Sequence, residues 1–135
     1  MNETTSNFRL LHTMIRVQDL EKSIEFYTRF LGMRLLRKRD FETGRFTLAF
    51  LGYGDEETEA VVELTYNWDR TDPYDLGSGF GHLAIAVPDV YATCEFMEKN
   101  GVPIPRAPGP LKEGLYHIAF AEDPDGYKIE LVQRS

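Results

Sequence analysis

The sequence predicts an α+β protein built from two βαβββ modules whose mixed sheets curve into cups. Three observations carry this reading. The chain of 135 residues has the length of one domain. Its two halves repeat one pattern: HTMIRVQDLEKSIEFYTRFLGM from His12 and HLAIAVPDVYATCEFMEKNGV from His82 each run from a short strand opening on His, through an Asp turn and a helix, to a Gly. Each half then closes on a strand bearing Glu, AVVELTYN around Glu63 and YKIELVQR around Glu130, which follow the two histidines by 51 and 48 residues.

In order along the chain, residues 10–17 alternate, with Leu11, Thr13, Ile15 and Val17 on one face and His12, Met14 and Arg16 on the other. Asp19 caps a helix in which Leu20, Ile24, Tyr27 and Leu31 recur at helical spacing, and Gly32 ends it. Strands are expected near 33–40, 45–53 and 59–66, the first pair turning at Thr43-Gly44. In the second half Leu83, Ile85 and Val87 oppose His82, Ala84 and Ala86. A helix follows with Val90, Cys94 and Met97 on one side and Gly101 after it. Strands are then expected near 102–105, 115–122 and 127–133, the last two joined at Asp123-Pro124-Asp125-Gly126. Residues 67–79 and 106–114, rich in Pro, Gly and charge, read as long loops of the kind that carry function. The expected organisation is a single domain over 1–135, with modules at about 8–66 and 80–134.

Composition narrows the function. With 42% hydrophobic and 13% aromatic residues, the chain can bury on the order of two-thirds of its unfolded surface. Disorder and low complexity are excluded. A net charge of −7 argues against nucleic acid, which needs a basic face to release counterions. A few local Arg and Lys side chains can still receive an anionic small molecule. Cys94 is the single cysteine, so no intramolecular disulfide forms. There is no signal-peptide pattern in MNETTSNFR and no apolar run of ~18 residues. A soluble cytoplasmic protein, without membrane contact, is the expectation.

The repeat also places chemistry. By alternation, Glu63 faces away from Val62, Leu64 and Tyr66, and Glu130 away from Ile129 and Leu131. His12, Glu63, His82 and Glu130 thus all leave the more apolar face of their strands, and in a cupped sheet the other face lines a cavity. Two imidazoles and two carboxylates, with water, suit octahedral coordination of a divalent first-row metal. With no cysteine in the set, a structural zinc site is not indicated. Any one of these residues alone reads more simply as a solvated or hydrogen-bonded strand residue; the matched pairs favour the metal. His117 and Cys94 read as structural, Phe80 and Tyr116 as candidate pocket lining, and the acidic run at 55–59 as a solvated turn. Gly77, Gly79 and Gly81 read as loop glycines with no dinucleotide fingerprint after them.

The segments HTMIRVQDLEKSIEFYTRFLGM, ELTYNW, GFGHLAIAVPDV and DPDGYKIEL resemble the glyoxalase I (lactoylglutathione lyase) family of the vicinal oxygen chelate superfamily, over about residues 8–133. The resemblance implies that His12, Glu63, His82 and Glu130 bind the metal. It implies a homodimer in which each site takes His12 and Glu63 from one subunit and His82 and Glu130 from the other. The implied substrate is the methylglyoxal–glutathione hemithioacetal, isomerised through an enediolate to S-lactoylglutathione, with Glu130 as principal base and Glu63 serving the other stereoisomer or the second transfer. Arg16 and Asn67 match family positions that hold the glutamyl part of glutathione, and Arg106 and Lys112 flank a loop placed to reach its glycyl carboxylate. Ser78 stands where longer eukaryotic enzymes carry Arg. The short chain resembles the compact bacterial type, for which nickel is the expected metal, cobalt second and zinc third.

Shared architecture does not fix function. The alternatives are another metalloenzyme of the superfamily (a thiol transferase, an extradiol dioxygenase or a coenzyme A ester epimerase) and a metal-free small-molecule-binding protein. A fourth ligand at Glu63 argues against the three-ligand enzymes. Glu rather than Gln at a ligand position argues against the epimerase.

Overall fold

The computed structural model describes residues 3–111, 114 and 116–134. The chain divides into two compact units, Met1–Thr71 and Asp72–Ser135. The first runs β1 (His12–Arg16), α1 (Leu20–Glu25) continuing into a π-turn (Phe26–Phe30), β2 (Arg34–Phe41), β3 (Phe46–Gly52) and β4 (Val61–Asn67). The second runs β5 (His82–Ala86), α2 (Val90–Lys99), β6 (Arg106–Pro110), β7 (Tyr116–Glu122) and β8 (Lys128–Arg134). Their sheets are ordered β1-β4-β3-β2 and β5-β8-β7-β6. In each, the first strand lies parallel to the last and the other pairs are antiparallel. The two mixed sheets are the βαβββ modules that the repeat predicts.

Each helix begins where its Asp accepts backbone N–H groups. Asp19 Oδ1 takes the N–H of Lys22, and Asp89 Oδ1 takes those of Tyr91 and Ala92, supplying partners to donors that the first turn leaves free. In the first unit the helix side of the sheet is built from Val17, Ala49, Leu51 and Leu64, with Tyr27 fully buried on it. In the second, Val90, Cys94 and Met97 pack over a sheet whose buried residues include Ala119, Ala121, Ile129 and Leu131. The apolar stripe of α2 is therefore as predicted.

Two expectations change. The first helix is not one regular α-helix: it widens at Phe26, where the N–H of Leu31 reaches back to the Phe26 carbonyl. Ser23, three residues after Leu20, and Phe26 are buried, while Ile24 is half-buried. The β2–β3 turn falls at Thr43-Gly44 as expected, with the left-handed residue at Arg45, φ +55°. Gly44 serves close approach, since a Cβ there would meet the Phe46 ring at 2.6 Å. Arg45 is held by a bidentate contact to Asp69 at 2.7 and 2.8 Å, and its carbonyl accepts the Trp68 N–H.

The last correction concerns residues 102–110. The strand expected at 102–105 lies instead at Arg106–Pro110, within the segment expected to be irregular. Prolines at 103, 105, 108 and 110 remove ladder donors, which confines this stretch to the sheet edge. A register shift between Arg106 and Gly109 accommodates it.

Candidate active site

Strand pairing builds the site from the bottom up. In the parallel ladder His12 sits opposite Val61 and Met14 opposite Glu63, so His12 and Glu63 are diagonal neighbours on one face. His12 Nε2 lies 2.7 Å from Glu63 Oε1. The other Glu63 oxygen accepts the Thr65 hydroxyl at 3.3 Å, which fixes the carboxylate's orientation. The second unit repeats the arrangement. His82 sits opposite Lys128 and Ala84 opposite Glu130, and His82 Nε2 lies 3.3 Å from Glu130 Oε1.

The donor chemistry fits a divalent ion. Adjacent nitrogen and oxygen donors, each about 2.1 Å from an octahedral ion, lie about 3.0 Å apart. The two His–Glu contacts bracket that separation. Among the described residues no group of three or more His, Cys, Asp or Glu side chains is placed to hold a metal. Each unit thus presents one pair.

The remaining expected residues divide. Arg16 pairs with Thr65 across β1 and β4, and Asn67 pairs with Phe46, which puts both on the face that carries His12 and Glu63. Arg106 lines an open cavity of about 340 Å³ with His82, Phe120 and Lys128. Its guanidinium, however, donates to the carbonyls of Ile118 (2.7 Å), Gly109 and Ala107, so it knits β6 to β7. Lys112 lies outside the described residues. His117 Nδ1 meets the Tyr91 hydroxyl at 2.8 Å and takes no part in the pairs. Cys94, on the buried side of α2, has its thiol pushed up by burial, with Glu98 nearby, which makes it a poor nucleophile.

Several residues on these faces were not singled out from sequence. Phe50 stands across from Glu63 and Phe120 across from Glu130. Arg37 lies over the Phe50 ring at 3.7 Å and grips Glu56 through two hydrogen bonds. That Glu56 contact, with Glu63 adding a smaller attraction, holds the guanidinium above its ordinary range. Strand parity on β3 and β7 was the available signal, since both phenylalanines alternate with core residues.

A second cavity, of about 410 Å³, borders the start of α1 and includes Lys38, Asp40, Thr47 and Tyr66. It contains none of the paired residues. No helix among the described residues is long and apolar enough to cross a membrane.

Comparison with known proteins identifies the family. Residues 9–131 match the family model described as the glyoxalase/bleomycin resistance protein/dioxygenase superfamily. A Synechocystis protein named probable lactoylglutathione lyase is 61% identical over 93% of this chain and 95% of its own. The crystal structure of glyoxalase I from Zea mays superposes with a TM-score of 0.88 at 54% identity, over 94% of this chain and 45% of that one. This chain therefore spans just under half of the maize protein. The trypanothione-dependent glyoxalase I of Leishmania major gives a TM-score of 0.84 at 48% identity, over 94% of this chain and 87% of that one. With its two βαβββ units and a family match over most of its length, the chain belongs to the glyoxalase/bleomycin resistance protein/dioxygenase superfamily.

Proposed function

We propose that this protein is a lactoylglutathione lyase, a detoxifying enzyme that isomerises the methylglyoxal–glutathione hemithioacetal to S-lactoylglutathione. The observation that carries the reading is the matched His–Glu contact in each unit, on a chain 61% identical to a relative of that name. His12, Glu63, His82 and Glu130 would hold one divalent ion per site, with nickel the metal we expect. A pair alone leaves most of an octahedral shell unfilled, which supports a homodimer. In it, His12 and Glu63 of one subunit meet His82 and Glu130 of the other, and the whole chain acts as one two-module domain. A cytoplasmic location, where glutathione keeps thiols reduced, suits such a substrate.

The reaction moves a proton from the sulfur-bearing carbon to its neighbour, while the hydroxyl proton crosses from the first oxygen to the second. No bond to sulfur breaks and no co-reactant is consumed. A divalent ion, when bound, supplies Lewis-acid stabilisation of the negative charge that develops on the enediolate. Glu130 takes the carbon-bound proton and returns it one carbon along. Glu63 serves the second transfer or the other stereoisomer. Arg16 and Asn67 hold the glutamyl end. Lys112 takes the glycyl carboxylate ahead of Arg106, whose guanidinium is engaged with backbone carbonyls.

Glu130→Gln tests the assignment of the base. Its turnover should fall by roughly a thousandfold, within the range that general-base catalysis contributes, while most of the bound nickel is kept. Unchanged turnover would remove Glu130 from this role.

A further inference from the structure

The two His–Glu contacts share an aromatic neighbour that strand register puts in the same place twice. The Phe50 ring meets the His12 ring at a centroid distance of 5.6 Å and an interplanar angle of 76°. The Phe120 ring meets the His82 ring at 5.2 Å and 75°. In both units the phenylalanine is the cross-strand partner of the glutamate. It thus stands beside the carboxylate and edge-on to the imidazole that the carboxylate faces.

Each histidine is the first residue of its strand and its side chain is well exposed, 37% for His12 and 41% for His82. Beyond its contact with the glutamate, such a ring has little to select its rotamer, and every freely turning side chain that must be ordered weakens a ligand site. Edge-to-face geometry sets the positive rim of one ring against the negative face of the other, so it prefers an orientation as well as a distance. We propose that Phe50 and Phe120 are positioning residues, which hold the His12 and His82 rings with Nε2 turned toward the carboxylate before any ion arrives. The inference rests on the metal-binding reading of these histidines.

The two phenylalanines are braced differently. Phe50 is buried and carries the Arg37 guanidinium on its face, and Arg37 is fixed in turn by Glu56, whose backbone carbonyl accepts from Arg9 at 2.7 Å. The register counterpart in the second unit, Arg106 opposite Phe120, spends its guanidinium on carbonyls instead. Loss of Arg37 should therefore loosen His12 and leave His82 as it is.

The test uses metal-free protein and nickel alone. Phe50→Leu and Phe120→Leu should each weaken nickel binding, measured by chelator competition, about threefold to tenfold, the range one aromatic pair contributes. Phe50→Tyr and Phe120→Tyr, which keep the ring, should restore it. In the metal-free state the carbon-bound ring protons of the matching histidine should lose their ring-current shift, and Arg37→Met should disturb the His12 signals only. Leucine variants that fold and bind nickel like the parent would overturn the inference, as would tyrosine variants that fail to restore affinity. Should Phe50→Leu not fold, the half-buried Phe120 position decides. A parent protein that takes up no nickel would instead overturn the metal reading itself, so the two failures are distinguishable.

Discussion

Glu63 and Glu130 occupy matching places in the repeat, yet their surroundings differ. The Glu63 side chain is 11% exposed, tied to Thr65 and 2.7 Å from its histidine, whereas Glu130 is 21% exposed and 3.3 Å from its own. The looser carboxylate is the one assigned as base, which suits a group that must part from its neighbour to move a proton. The arginines differ as sharply. Arg16 lies on the Glu63 face, so Arg16→Ala should raise KM for the hemithioacetal by about tenfold or more with little change in kcat, the scale of a hydrogen bond to a charged group. Arg106→Ala should instead lower the melting temperature by unpinning β6 from β7. Equal KM in parent and Arg16→Ala would remove Arg16 from recognition. The four paired residues were legible because alternation fixes which face a strand residue takes. The fate of Arg106 was not, because it depends on three carbonyls exposed by an irregular edge strand.

At the level of elements, the Asp turns, the α2 stripe and the glycine stops follow from local chemistry, and the structure has them where the sequence places them. What stayed hidden was set by packing between segments. The left-handed residue of the β2–β3 turn is Arg45, held by Asp69, and β6 forms only beyond Pro103 and Pro105. The π-turn has no signal in an apolar stripe that reads as an ordinary helix. The cap of α2 offers a direct check. Asp89 satisfies two N–H groups, and Gln133 Oε1 satisfies that of Val90 at 2.7 Å. Asp89→Ala should cost about 1 kcal/mol of unfolding free energy, measured by urea denaturation. No loss would mean that Gln133 suffices as the cap.

For the whole molecule, a net charge of −7 still leaves room for an anionic substrate, because a local cation such as Arg16 on the Glu63 face can oppose the overall sign. The proposed dimer makes an arithmetic prediction. His12→Ala and His82→Ala should each abolish activity. In a mixed dimer, one site carries both defects and the other carries none. Random one-to-one reassociation should then restore about a quarter of the parent activity, because half the dimers are mixed and each has one intact site. No recovery on mixing would place each site within a single subunit. The measurement that bears most directly on the central claim is isomerisation of the methylglyoxal–glutathione hemithioacetal by metal-stripped protein, with nickel, cobalt and zinc restored separately. The account predicts no activity without metal, full activity with nickel or cobalt, and little with zinc. Tight metal binding with no isomerisation under any of the three would contradict it.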